Sequence, residues 1–211
     1  MGSPSLPDLL EELRARGASE RTLAAMAGVD RALFVPEKLR REAYRDVPLP
    51  IGEGQTISAP HMVAILCDLL ELAPGHKVLE VGGGSGYQAA VMARLAAPGG
   101  RLYTVEILPA LAERARANLR AAGVSNATVV VGDGSLGLPE RAPFDRIAVA
   151  CSAPDIPPPL LEQLTRGGRM AIPVGRVFQE LLLVVKEDGA VRVPQGGVAF
   201  VPLVGKFGFR E

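Results

Sequence analysis

The sequence predicts an α/β fold, doubly wound, with a mostly parallel seven-stranded sheet and an added N-terminal helical part. From residue 77 onward, short apolar segments alternate with segments of helical periodicity, and this alternation requires right-handed crossovers between parallel strands. The chain is 48% hydrophobic but only 4% aromatic, without Trp. A core of Leu, Val, Ile and Ala is typical of parallel sheets covered on both faces.

The 211 residues suit one domain. We divide it into residues 1–60, which carry N-terminal helices and a binding loop, and residues 61–211, which form the α/β core with C-terminal strands. Residues 1–45 are predicted to form four short helices. Leu9 and Leu13 have helical spacing, and Gly17 can end the first helix. Ser19 and Asp30 are suited to cap the second and the third, and the fourth is expected over residues 37–44.

Residues 46–60 differ in composition from the helices before them. They contain three prolines and two glycines, so we predict an extended, shaped loop without regular structure over most of their length. Pro60 suits the first turn of a helix that runs to about Leu72.

The remaining elements follow from apolar runs and their breaks. Strands are predicted at 77–81, 101–106, 127–133, 145–151, 168–175, 180–187 and 198–205, with helices at 87–95, 109–122 and 158–164. The last two strands have no helix between them. That end of the sheet is therefore predicted to be antiparallel, with a hairpin through residues 187–189.

Charge and cysteine content narrow the function classes. The 23 basic and 23 acidic residues give zero net charge, which argues against a nucleic-acid partner. Cys67 and Cys151 lie far apart in apolar surroundings, and His61 and His76 are the only histidines. Neither a disulfide framework nor a metal site is expected. Without a signal peptide or a long apolar run, we expect a cytoplasmic monomer with no membrane association.

A glycine-rich turn, Gly82–Gly86, lies between the first predicted strand and its helix. Glycines there permit positive φ and close approach of a ligand to the backbone, but alone they could form only a tight turn. Glu106 ends the second strand, about 20 residues further on, where an acid can accept from both ribose hydroxyls. Asp133 follows the third strand between two glycines and could accept from an adenine amino group, or only shape a turn. Together these features indicate a nucleotide-like cofactor at the carboxyl ends of the strands.

The glycine spacing distinguishes two cofactor classes. In Gly-Gly-Gly-Ser-Gly the last glycine comes two residues after the one before it, whereas dinucleotide sites place it three after. S-adenosylmethionine therefore fits the turn better than NAD does.

Several separated motifs resemble the protein-L-isoaspartate O-methyltransferase family. The most specific is Leu-Pro-Ile-Gly-Glu-Gly-Gln-Thr-Ile-Ser-Ala-Pro at residues 49–60. Further matches are Phe-Val-Pro at 34–36, Gly-Ser-Gly-Tyr-Gln-Ala-Ala at 84–90, Gly-Asp-Gly at 132–134 and Phe-Val-Pro-Leu at 200–203. Two positions depart from the family pattern: Gly83, where Thr or a small polar residue is common, and Cys151-Ser152, where small apolar residues are usual.

The resemblance implies a Rossmann-like methyltransferase sheet that binds S-adenosyl-L-methionine and methylates the free α-carboxylate of isoaspartyl residues in proteins and peptides. The ester then closes to a succinimide, and hydrolysis returns some normal aspartate. The implied cofactor-binding residues are Thr56, Ile57, His61, Glu80, Gly82, Gly83, Gly84, Ser85, Glu106, Asp133 and Gly134. The implied substrate-binding residues are Ile51, Ser58, Ala59, Val198, Phe200 and Val201, and Ser58 is the candidate catalytic residue.

Alternative interpretations remain open for Ser58, for His61, for the segment Val198–Leu203 and for the activity itself. Ser58 could be only the N-cap of the helix that begins at Pro60, His61 an exposed helix residue, and Val198–Leu203 an ordinary buried strand instead of an acceptor for an extended peptide. The chain could also methylate RNA or a small molecule, or bind cofactor or damaged peptides without turnover.

Overall fold

The computed structural model describes residues 4–187 and 190–209. Its N-terminal part contains helices α1 (Leu6–Ala15) and α2 (Glu20–Ala27), then 3-10 turns at Arg31–Phe34 and Glu37–Glu42. The caps predicted for the second and third pieces are confirmed: Ser19 accepts from Thr22 N and Asp30 accepts from Ala32 N. The third and fourth pieces are 3-10 turns instead of α-helices, because Pro36 stands between two runs that are each too short for a stable α-helix.

The prediction that residues 46–60 lack regular structure over most of their length is wrong, because two strands and the start of a helix lie within them. Strands β1 (Leu49–Gly52) and β2 (Gln55–Ile57) pair antiparallel in a small hairpin. The turn between the two strands requires positive φ at Gly52, Glu53 and Gly54. Glycine adopts positive φ without strain, so of these three residues Glu53 alone is strained. Helix α3 (Pro60–Leu69) follows and ends slightly before the expected Leu72.

The main sheet has seven strands, and the predicted fold class is confirmed. The strands are β3 (Lys77–Val81), β4 (Arg101–Glu106), β5 (Ala127–Val131), β6 (Phe144–Val149), β7 (Leu164–Val174), β8 (Gln179–Lys186) and β9 (Ala190–Val198). Their order in the sheet is β5-β4-β3-β6-β7-β8-β9. The first five in this order are mutually parallel, and β8 and β9 are antiparallel to their neighbours. The helices are α4 (Tyr87–Ala96), α5 (Pro109–Ala121) and α6 (Pro158–Gln163), with 3-10 turns at Gly134–Leu136 and Pro139–Arg141.

The seventh strand was predicted at the wrong place. Strand β9 spans residues 190–198 instead of 198–205, and it shares only Val198 with the predicted segment. The chain leaves the sheet there because the side-chain amide of Gln179 bonds both the N–H and the carbonyl oxygen of Phe200. The antiparallel direction of β8 and β9 is confirmed, whereas residues 188 and 189 of the expected hairpin lie outside the described residues.

Apolar side chains fill both faces of the sheet. On β3, Val78 belongs to a cluster that also contains Leu9, Leu13 and Val91, while its neighbour Leu79 faces a second cluster on the other side. The N-terminal helices therefore share a core with α4, which fixes residues 46–59 above the carboxyl end of β3. Among the described residues, no helix has the length and apolar character needed to cross a membrane.

Candidate active site

The glycine turn follows β3, the strand at which the chain order of the sheet reverses. Gly82, Gly84 and Gly86 have φ of 90°, 52° and 88°, a region that disfavours residues with a Cβ. Gly86 is also the N-cap of α4, where an added Cβ would lie 3.3 Å from the Ala115 Cβ. The turn leaves an open space above the strand ends, where doubly wound sheets bind ligands.

Glu106 ends β4 beside this turn. Its Oε2 accepts from Gly84 N at 2.8 Å and its Oε1 accepts from Leu108 N at 2.9 Å. The side chain is buried, yet each carboxylate oxygen keeps lone pairs for further donors. These two bonds hold a carboxylate ready to accept from a pair of hydroxyl groups.

A cavity of about 440 Å³, which we call the strand-end cavity, opens beside Glu106. Leu108, Gly134, Cys151 and Val201 are among its lining residues. A Cβ on Gly134 would lie 2.5 Å from Val81 Cγ1, so only glycine allows the chain to run this close to β3. The cavity combines apolar walls with two acidic residues, Glu53 and Glu106, a lining suited to a nucleoside.

A cavity of about 40 Å³, the glycine-turn cavity, contains buried polar groups. It is lined by Glu80, Gln88 and the glycine turn. Among the described residues, no well-formed hydrogen bond reaches the carboxylate oxygens of Glu80, the amide of Gln88 or the hydroxyl of Thr104, although Thr104 and Gln88 lie close enough to Glu80 to oppose part of the rise in its pKa. Burial raises the pKa of Glu80 to about 8. Unpaired buried polar groups are costly, so this cluster fits a ligand that brings its own donors, such as an ammonium group.

Gly83 departs from the family pattern, and the structure gives a packing reason. A Cβ at this position would lie 2.5 Å from Thr104 Oγ1 and 3.6 Å from Glu106 Cβ. Thr104 is fully buried on β4, so its hydroxyl already occupies the space that a side chain at position 83 needs.

Cys151-Ser152, the other departure from the family pattern, connects the strand-end cavity to the C-terminal segment. Ser152 N donates to Val201 O at 2.8 Å, and Ser152 O accepts from Leu203 N at 2.7 Å. The Ser152 hydroxyl donates to Gly175 O. Cys151 is buried, which raises its thiol pKa. Neither residue removes a polar group from the cavity wall.

Ser58 lies where two cavities meet. It lines the glycine-turn cavity and also a third cavity of about 660 Å³, the outer cavity. Among residues 4–187 and 190–209, no group hydrogen-bonds its hydroxyl. The alternative that Ser58 caps α3 is wrong, because Ala59 is the N-cap and Asp46 Oδ1 accepts from His61 N at 2.8 Å.

Arg31 was not identified from the sequence, yet it holds the segment that carries Ser58. It is 1% exposed and donates to Ser58 O at 2.9 Å, Ala43 O at 2.6 Å and Val47 O at 3.2 Å. Its guanidinium lies 5.7 Å from the centroid of the Tyr87 ring, and burial lowers its pKa to about 10. A lone arginine in a helical stretch resembles a surface residue, so nothing in the sequence pattern revealed this role.

Thr56 and Ala150 line all three cavities. Thr56 belongs to the expected set, whereas Ala150 does not. Ala150 follows β6, the neighbour of β3. In the sequence, its position near the end of a predicted strand was the one feature that could have indicated it. The three cavities are thus joined at a pair of small residues.

The outer cavity brings together most of the expected substrate-binding residues. Besides Ser58, its lining includes Ala59, Val198, Phe200 and Val201. His61, expected at the cofactor, lines this cavity instead, and its Nδ1 lies 2.9 Å from Asp46 Oδ1. Ile57 and Ser85 line the glycine-turn cavity.

Two expected site residues lie outside all three linings. Ile51 is 1% exposed and packs beneath the turn, with Cδ1 3.4 Å from where a Gly84 Cβ would be. Asp133 Oδ1 accepts from the amide and the hydroxyl of Ser135, and Oδ2 accepts from Lys206 N at 2.8 Å. Phe207 N in turn donates to Ser135 Oγ at 3.0 Å. The contacts of Asp133 thus anchor the segment that walls the strand-end cavity.

Comparison with known proteins identifies close relatives. The family described as protein-L-isoaspartate(D-aspartate) O-methyltransferase matches residues 5–208. Proteins named protein-L-isoaspartate O-methyltransferase from Methanothrix thermoacetophila and Methanopyrus kandleri are 60% and 58% identical. Their alignments cover 96% of this chain and 96% and 92% of theirs.

Solved structures agree with these sequence relatives. A protein-L-isoaspartate O-methyltransferase superimposes with a TM-score of 0.89 at 30% identity, covering 97% of this chain and 67% of its own. A Plasmodium falciparum protein named as a beta-aspartate methyltransferase, in complex with S-adenosyl-L-homocysteine, gives 0.86 at 27% identity, covering 95% and 99%.

Proposed function

This chain belongs to the protein-L-isoaspartate(D-aspartate) O-methyltransferase family, and we propose that its joined cavities hold the two reactants on either side of Ser58. The enzyme transfers a methyl group from S-adenosylmethionine to the free α-carboxylate of L-isoaspartyl residues in damaged proteins and peptides. The observation that carries the site assignment is that Ser58 lines both the glycine-turn cavity and the outer cavity.

The residues present fit S-adenosylmethionine. Glu106 accepts from the ribose hydroxyls, and the strand-end cavity takes the adenine against Gly134. Glu80, whose buried oxygens lack a well-formed hydrogen bond among the described residues, would receive the ammonium of the methionine portion with Gln88 beside it. When bound, S-adenosylmethionine supplies a methyl group on a sulfonium. Thr56 and Ile57 close this side of the site.

Direct contacts of Asp133, Ile51 and His61 with the reactants, as assigned from the sequence, have weaker support in the structure. Both carboxylate oxygens of Asp133 already accept from the chain. We therefore propose that it acts on the adenine end mainly by holding Lys206. Ile51 similarly supports the turn from below, while His61 closes the substrate side.

On the substrate side, the isoaspartyl α-carboxylate occupies the outer cavity. A carboxylate has an ordinary pKa of about 4 and is ionised at neutral pH, so attack on the methyl group requires no general base. The Ser58 hydroxyl donates to one carboxylate oxygen and orients the other. Positioning of this kind can lower a barrier by roughly 7–11 kcal/mol. Arg31 fixes the Ser58 carbonyl, and the backbone of Val198–Val201 flanks the extended peptide.

The central test is Ser58→Ala with an isoaspartyl peptide. Loss of a hydrogen bond to a charged group costs about 1.5–3 kcal/mol, so kcat/KM should fall about tenfold to a hundredfold while cofactor affinity stays unchanged. Ser125→Ala, at an exposed site before β5, is the matched control and should retain full activity. Full turnover by Ser58→Ala would contradict the assignment.

The same assay separates the other activities. Wild-type enzyme is incubated with labelled cofactor and the isoaspartyl peptide, its aspartyl twin or bulk RNA. Label on the isoaspartyl peptide alone is expected. Label on RNA would instead indicate a nucleic-acid enzyme, and tight cofactor binding without ester formation would indicate a binding protein.

We also propose a monomeric, cytoplasmic, single-domain enzyme without a nucleic-acid partner. The zero net charge and the free, buried Cys67 and Cys151 support this assignment, because a reducing compartment keeps thiols unpaired. Light scattering after size-exclusion chromatography should give the mass of one chain, and denaturation should show one transition.

A further inference from the structure

The loop between β7 and β8 exposes two large apolar residues. Val177 is 82% exposed and Phe178 is 93% exposed, whereas the other exposed large apolar side chains on the described surface range from 38% to 48%. Full burial of such a side chain contributes about 1.5–3 kcal/mol. In the free chain, these two adjacent side chains do not make this contribution. We call Val177 and Phe178 the loop tip.

The base of this loop is held from several sides. Gly175 N donates to Ala153 O at 2.9 Å, and Gly175 O accepts from the Ser152 hydroxyl. Gly175 has φ of 119°, and a Cβ there would overlap the Phe178 carbonyl oxygen. On the other side, Gln179 bonds Phe200 at 2.6 and 2.9 Å. The anchored base therefore presents the loop tip outward.

The loop tip lines the outer cavity, which Ser58 also lines. Val198, Phe200 and Met62 continue the same apolar lining. The guanidinium of the neighbouring Arg176 lies over the Phe209 ring at 5.9 Å. Among the described residues that line this cavity, His61 is the one titratable group. The outer end of the cavity is thus suited to an apolar side chain.

We propose that Val177 and Phe178 receive the apolar side chain of a residue next to the isoaspartyl residue in the substrate polypeptide. This inference rests on the proposed function, because the cavity that holds the isoaspartyl carboxylate at Ser58 continues to the loop tip. Contact with that side chain buries the apolar area that the free enzyme leaves in water. The loop tip thereby selects among damaged sites by the residues beside them.

The test compares isoaspartyl peptides that differ at one flanking position. Leu or Gly is placed directly before or directly after the isoaspartyl residue, and kcat and KM are measured for each peptide. Wild-type enzyme should prefer the Leu peptide over the Gly peptide about tenfold at one of these positions. In Val177→Ser/Phe178→Ser this preference should disappear, mainly through a higher KM for the Leu peptide.

Two further variants separate selection from general damage. Val191→Ser/Val193→Ser removes exposed apolar groups at the far end of the β8–β9 hairpin and should keep the wild-type preference. Phe178→Leu should retain most of it. Cofactor affinity and thermal unfolding should match the wild type in all variants.

Two results would overturn the inference, and each has a different meaning for the proposed function. Equal preference in wild type and Val177→Ser/Phe178→Ser, with active enzymes, would refute the role of the loop tip and leave the proposed function intact. Failure of wild-type enzyme to methylate any isoaspartyl peptide would refute the proposed function itself, and this inference with it.

Discussion

The two sides of the site are built in different ways. On the proposed cofactor side, the glycine turn follows β3, Glu106 ends β4 and Ala150 follows β6, so the parallel sheet places them. On the substrate side, Ser58 and Phe200 lie outside regular elements and are held by side-chain bonds from Arg31 and Gln179. One side therefore depends on the topology of the whole domain, and the other on a few anchoring side chains. Single substitutions should affect the two sides separately.

The largest effect is expected for Arg31→Met. It leaves the carbonyl oxygens of Ala43, Val47 and Ser58 without their donor, so the free energy of unfolding should fall by about 3–5 kcal/mol. Arg31→Lys should lose less, because one ammonium keeps part of these bonds. Urea denaturation measures the change.

The matched control is Arg45→Met, which removes an exposed arginine paired with Glu42. Exposed pairs contribute at most about 1 kcal/mol. If Arg31→Met proved as mild as this control, the substrate side would not depend on that anchor.

The second largest effect concerns the cofactor. Glu106→Gln replaces one carboxylate oxygen by an amide NH2 group. This donor must then face another donor, the N–H of Gly84 or of Leu108. Cofactor affinity should therefore fall about tenfold to a hundredfold, equivalent to about 1.5–3 kcal/mol. Isothermal titration measures it, with Glu113→Gln on the exposed face of α5 as the control. An unchanged dissociation constant would exclude Glu106 from cofactor binding.

A smaller effect tests the packing of the glycine turn. Gly83→Ala forces its Cβ against Thr104 Oγ1 and should destabilise the protein by about 1–2 kcal/mol. Thr104→Ala removes that oxygen, so the double variant should be more stable than the sum of the single changes predicts. A double-mutant cycle by urea denaturation measures the coupling. Strict additivity would show that Thr104 is not the obstacle.

The smallest expected change, counted per pH unit, is a pH dependence of the free enzyme. Burial raises the pKa of Glu80 from 4.5 to about 8, so the folded state binds more protons than the unfolded state between these values. The contribution of Glu80 to stability is therefore fully present below pH 4.5, falls as pH rises and is lost above 8, at no more than about 1.4 kcal/mol per pH unit.

Urea denaturation between pH 6.5 and 8 tests this prediction. Burial lowers the pKa of His76 below 6.5, so its contribution to stability rises with pH and levels off above about 6.5, opposite in sign to that of Glu80. Glu80→Gln should remove the slope. A slope that persists in Glu80→Gln would assign it to another group.

The comparison also explains what could be predicted from the sequence. Strands β3 to β6, the glycine turn and the position of Glu106 follow from local apolar runs and the strand-end rule. The β1–β2 hairpin did not, because it depends on positive φ at Glu53, a residue type that rarely adopts it. Strand β9 was misplaced because Val198–Leu203 is as apolar as a strand. The bonds of Gln179 to Phe200 and of Ser152 to Val201 and Leu203 hold this segment instead.

The site shows the same division. Glu80 and Glu106 have recognisable residue types at recognisable positions, whereas Arg31 and Ala150 acquire their places only from tertiary contacts. The role of Ser58 in catalysis stays a prediction that its position supports.

The bonds from Lys206 to Asp133 and from Phe207 to Ser135 have a consequence for biosynthesis. They join residues more than 70 positions apart, and they hold Val201–Val204 as a wall of the strand-end cavity. During translation, β3, β4 and β5 leave the ribosome long before that wall does. A nascent chain therefore acquires the complete strand-end cavity only after residue 207 has emerged from the ribosome.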